Sequence, residues 1–101
     1  MDRWTVFFSE EALNELQSAV SYYESCMSGL GVRFMVAFEQ QIARLSSNPY
    51  SRAVRYLEVR LAVLENFPYA IHYVIRENTR KVIVQTVLSM HRDPKDTWKQ
   101  R

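Results

Sequence analysis

The chain has 101 residues, 48% of them hydrophobic, with two glycines, one cysteine and a net charge of +2. That length and apolar content suit one compact domain spanning residues 1–101, and exclude a second domain, a disordered chain or a disulfide scaffold. No apolar run approaches the roughly 18 residues that a membrane span needs.

In chain order, residues 3–8 ("RWTVFF") are rich in aromatic and β-branched side chains and predict a strand. Ser9 has the chemistry of a helix N-cap, with Glu10 and Glu11 placed to complement the positive helix end. Leu13, Leu16, Val20, Tyr23, Met27 and Leu30 recur at helical spacing and predict one buried stripe. Cys26 falls in this pattern and reads as a small buried hydrophobe rather than a reactive thiol. Gly29 suits the left-handed conformation after a helix end. Phe34, Phe38, Ile42 and Leu45 mark a second helix, which Asn48-Pro49 cannot continue.

The period then changes from helical to alternating. Residues 57–64 predict a strand with Leu57, Val59, Leu61 and Val63 on one side, followed by strands over "AIHYVIR" and "RKVIVQTVL" with short connections. The expected fold is α+β in the order β-α-α-β-β-β, a helical hairpin packed on a small, mainly antiparallel sheet. Lacking a secretion signal pattern at its N-terminus and carrying a lone cysteine, the chain is expected in the cytoplasm.

Charge is unevenly spread. Residues 1–50 hold three Lys/Arg against six Asp/Glu, whereas residues 51–101 hold ten against five. A cationic second half fits an anionic partner or an ordinary solvated face. Guanidinium groups hold phosphates through paired donors and stay charged, so Arg52, Arg55, Arg60 and Arg92 are candidate phosphate- or target-binding residues, expected to gather on the outer side of the sheet. Arg76 and Arg80 flank a hairpin tip and read as solvated. His91 is the side chain placed to exchange a proton near neutral pH, whereas His72 reads as a partly buried hydrogen-bonding residue. Asp93-Pro94 reads as a helix cap, with Trp98 pinning the end of the chain. Neither histidine belongs to a metal-ligand spacing and no glycine-rich loop cradles phosphates, so no metal or cofactor is expected.

The segments "YYE", "GLGVRF", "NPY", "VRLAVL", "FPYAIHYVI" and "HRDPKDTW", in this order, resemble the RelE/ParE superfamily of bacterial type II toxins along nearly the whole chain. The resemblance implies a cytoplasmic toxin neutralised by a cognate antitoxin in a toxin–antitoxin hetero-oligomer. It implies one of two targets: DNA gyrase, as for ParE-like toxins, or mRNA in the ribosome, as for RelE-like endonucleases. A degenerate module member that binds antitoxin without toxicity is a third reading. RelE-like nucleases carry an arginine in the motif Tyr-Arg-Ile/Leu-x-Tyr, where this chain has Ala70 within Tyr69-Ala70-Ile71-His72-Tyr73. Trp98 stands where RelE has a late tyrosine, so a nuclease here would rest on Arg60, His91 and Arg92. These departures favour the ParE-like reading.

Overall fold

The computed structural model describes residues 3–90; His91, Arg92, Asp93, Pro94 and Trp98 lie outside the described residues. Strand β1 (Thr5–Phe8) leads into helices α1 (Glu10–Cys26) and α2 (Leu30–Ser47). Strands β2 (Val54–Tyr56), β3 (Val59–Val63), β4 (Tyr69–Arg76) and β5 (Lys81–Ser89) follow. They form one five-stranded sheet in the order β1-β5-β4-β3-β2. β1 runs parallel to β5 and every other pair is antiparallel. This is the expected α+β arrangement with one strand more, since residues 54–63 form a short hairpin in place of a single strand over 57–64.

Ser9 caps α1 as its sequence predicts: its Oγ accepts from the Ala12 N–H at 3.0 Å and donates to the Gln85 carbonyl at 2.8 Å. One hydroxyl thereby closes a helix end and ties it to β5. α1 meets the sheet on a line shifted from the expected stripe. Ala12 and Ala19 are buried on it, while Leu13 is half exposed. Small residues let the helix lie close, and Leu16 and Tyr23 pack beside them. Cys26 and Met27 are both exposed, because the end of α1 runs past the packed stripe.

Between the helices Gly29 adopts φ +89°, a left-handed conformation that glycine takes without a Cβ clash. Glu24 holds this turn: its carboxylate accepts from the N–H groups of Gly29 at 3.0 Å and Gly31 at 2.9 Å. Those backbone bonds lower the Glu24 pKa below its ordinary value. α2 then buries Phe34, Phe38 and Leu45, as its periodicity predicts. Phe34 stacks on Tyr23 at 5.3 Å and meets the edges of Phe67 and Tyr69 at 5.0 and 5.1 Å. This aromatic cluster joins both helices to the chain around the start of β4.

Strand β4 lies at the centre of the sheet, with Ala70 to Val74 all buried. Along β5 the register passes from Tyr73 opposite Val84 to His72 opposite Thr86, so Gln85 is a bulged residue. β1 pairs β5 only as far as Val84, and Glu15 covers the edge beyond it. Its Oε1 accepts from the Val87 N–H at 2.8 Å and from Thr86 Oγ1.

The β2–β3 hairpin departs from ideal geometry twice. Val54 pairs with Arg60 and Tyr56 with Val59, which leaves Arg55 as a bulge. Leu57 follows at φ +49°, a conformation costing about 1–2 kcal/mol for a residue with a Cβ.

Phe34→Ala is expected to destabilise the fold by about 3–5 kcal/mol in urea denaturation, the cost of emptying a fully buried aromatic site. Glu24→Gln is expected to lower Tm at neutral pH. A depressed folded pKa contributes stability above the unfolded pKa, so the gap between wild type and variant should close as pH falls through the folded value.

Candidate functional site

The end of α2 sets the site. Asn48 Oδ1 accepts from the Tyr50 N–H at 3.2 Å and begins a short 3-10 turn, Pro49–Ser51. Tyr73, buried on β4, donates its hydroxyl to the Pro49 carbonyl at 2.7 Å and fixes that turn against the sheet. Pro49 is buried beneath it and Tyr50 stays exposed. The chain then turns so that Arg52 Nη2 donates to the buried Gln41 Oε1 at 3.0 Å. Gln41 has therefore a charged partner in place of water, which accounts for a glutamine on the inner side of α2.

Arg60 on β3 reaches the same place. Its Nη1 donates to the Arg52 carbonyl at 2.6 Å, and its guanidinium lies 5.2 Å from the centre of the Tyr50 ring. From the far side Arg80 covers Trp4 at 4.3 Å, and Trp4 meets the Tyr50 ring edge-on at 5.7 Å. Arg60 from β3 and Arg80 from the β4–β5 connection thus meet at the Tyr50 and Trp4 rings. Arg52, just after the 3-10 turn, is joined to them through the bond from Arg60 to its carbonyl. One carboxylate enters: Glu77 Oε1 accepts from the Tyr50 hydroxyl at 2.6 Å. That hydrogen bond raises the Tyr50 pKa, helped by burial and the Glu77 charge and opposed by Arg60 and Arg80. Burial likewise raises the Tyr73 pKa against the pull of Arg60 and Arg52. Both phenols stay protonated near neutral pH and act as hydrogen-bond donors.

The arginines do converge, but not on the outer side of the sheet. Arg60 shares a face with Ala62 and Leu64, which pack toward the helices, and Val59 and Leu61 form the apolar outer face. Arg55 stands apart, exposed on β2, and makes no hydrogen bond or ion pair with the described residues. Arg76 is exposed as expected, with Nη1 3.2 Å from Glu58. Arg80 is not a simply solvated tip residue. It takes φ +52° and stacks on Trp4, just before the first strand, a long-range contact with no local signal in the sequence. His72 is almost fully buried, with Nδ1 3.0 Å from the Tyr56 hydroxyl. Ala70 is also buried, so its position offers no side chain to a phosphate.

A separate shallow cleft of about 530 Å³ lies between α2 and the β3–β4 connection, lined by Leu30, Arg33, Val36, Phe67 and Pro68 among others. Among the described residues no cluster of His, Cys, Asp or Glu could hold a metal ion, and no helix is long and apolar enough to cross a membrane.

The fold has relatives among solved proteins. A chain of the chromosomal ParDE TA system from P. aeruginosa superposes with a TM-score of 0.74 at 13% identity, covering 87% of this chain and 97% of that one. The intact E. coli RelBE toxin–antitoxin complex contains a chain similar at TM-score 0.69 and 17% identity, with 88% and 99% covered. The isolated E. coli RelE toxin gives 0.65 and 16%, with 93% and 92% covered. At such identities these likenesses concern the fold alone. No curated protein matches the chain in sequence. The family model described as the ParE toxin of the type II toxin–antitoxin system, parDE, matches residues 6–94, and the chain belongs to that toxin family.

Proposed function

We propose that this toxin acts in the cytoplasm by binding an essential protein, DNA gyrase, and that a cognate antitoxin neutralises it in a hetero-oligomer. The observation that carries the reading is the chemistry of the arginine site. Arg52, Arg60 and Arg80 are held by hydrogen bonds and aromatic faces, an arrangement that presents fixed positive charge. A proton-transfer group is a different requirement. The histidine among the described residues, His72, is buried against Tyr56, and the nearby phenols have raised pKa values. Fixed charge suits steering and docking onto an acidic protein surface. The family match and the ParDE likeness favour the same side, and the ParDE and RelBE neighbours come from toxin–antitoxin assemblies. The apolar cleft beside α2, with Arg33 on its lining, offers an antitoxin segment a second surface.

The second reading is ribosome-dependent mRNA cleavage using Arg60, His91 and Arg92, favoured by the RelE fold likeness. Arg55 and Arg92 remain proposed target contacts under either reading.

Purified protein is expected to block plasmid supercoiling by DNA gyrase, and transcripts from induced cells to lack codon-positioned cuts. Such cuts with supercoiling intact would replace the gyrase reading with the nuclease one. In the same assay Arg60→Ala is expected to weaken inhibition by about tenfold or more, with partial recovery in Arg60→Lys. His91→Ala and Arg92→Ala at full potency would remove those two residues from the site.

A further inference from the structure

Two consecutive irregularities in the β2–β3 hairpin have no explanation in the packing. A two-residue connection between antiparallel strands favours glycine or asparagine where φ is positive. This chain places Leu57 there, at φ +49°. The leucine does not recover the strain by burial, because it is 88% exposed, the most exposed large hydrophobic side chain among the described residues. Two positions earlier the bulge at Arg55 turns a guanidinium out of the ladder, and Val54 beside it is 46% exposed. Arg55 makes no hydrogen bond or ion pair with the described residues, whereas Arg76, at the end of β4, is engaged by Glu58 of the hairpin turn.

A charged bulge on an edge strand is a known guard against unwanted pairing, and that accounts for Arg55 alone. It does not account for a strained, solvent-facing leucine. Local rules are broken without structural gain where function requires it.

We infer that the β2–β3 hairpin is a docking finger for the target protein, with Leu57 as an apolar knob and Arg55 as its charged neighbour. The occupant is a protein presenting an apolar socket rimmed by carboxylates. Leu57 suits an apolar pocket, which a phosphate backbone lacks, and the guanidinium of Arg55, unpaired among the described residues, suits a carboxylate beside it. The finger is distinct from the arginine cluster around Tyr50, which lies on the helix-facing side of β3. The inference rests on the toxin reading and adds to it the place where the target is gripped.

The test combines stability with toxicity in cells expressing the full chain without antitoxin. Leu57→Asn and Leu57→Gly are expected to raise Tm by about 4–8 °C through relief of strain, the shift that roughly 1 kcal/mol gives a domain of this size. The same variants are expected to need about tenfold more protein to arrest growth, as should Arg55→Glu. Leu13→Asn, at a half-exposed leucine on α1, should leave toxicity unchanged. An unchanged or lower Tm in both Leu57 variants would make the leucine structural and overturn the inference. So would a raised Tm with undiminished toxicity, or mRNA cleavage that persists in Leu57→Asn. A wild-type chain that fails to arrest growth defeats the toxin reading itself, and the finger with it. That outcome is visible before any variant is made.

Discussion

The hydroxyl of Tyr73 donates to the Pro49 carbonyl at 2.7 Å, and the placement of the arginine site follows from that bond. Tyr73 sits on the central strand of the sheet and is fully buried. Its one polar atom must find an acceptor, because an unpaired hydroxyl at that depth costs about 1–3 kcal/mol. The acceptor, Pro49, is the second residue after α2, so satisfying the tyrosine fixes the direction in which the chain leaves the helix. Tyr50 is thereby turned outward and Arg52 back toward Gln41. Arg60, paired with Tyr73 across the β3–β4 ladder, arrives at the same spot by register alone.

Like charges brought together need compensation, and among the described residues the site supplies it without a close carboxylate–guanidinium pair. Arg52 donates to a side-chain amide, Arg60 to a backbone carbonyl, and Arg80 lies over an indole ring. Each of these acceptors is neutral. The guanidinium groups are therefore held in place by neutral partners, which leaves a positive field at the surface. Glu77, the one carboxylate at the cluster among the described residues, is engaged by the Tyr50 hydroxyl.

Regular packing and irregular geometry are divided between different parts of the sheet. The inner side, with Tyr23, Phe34, Phe67 and Tyr69 at its rim, carries the packing that holds the helices. The edge opposite β1 carries a three-residue strand, a bulged arginine and a strained leucine. Irregular geometry of that kind is tolerable at an edge, where few neighbours must adjust, and would disrupt the buried centre.

Local sequence settled the helical hairpin, four of the five strands and the family, and missed the short strand β2. Ser9 as a cap, Gly29 at a positive φ, the Phe34-Phe38-Leu45 stripe and the stop at Asn48-Pro49 are all set by neighbours within a few residues, and each is found where its chemistry predicts. Candidate binding residues were legible only as a charge imbalance. Which arginines meet was decided by tertiary structure, since Trp4, Tyr50, Arg60 and Arg80 come from four separate segments joined through the sheet order β1-β5-β4-β3. The break at Leu57 escaped the pattern for a related reason. Alternation of apolar residues continues through Tyr56 to Leu64 as if unbroken, and only the pairing of Tyr56 with Val59 makes a turn of the residues between them. Periodicity reports which side chains share a face, whereas convergence depends on contacts between residues remote in the chain, and a single sequence does not encode those locally.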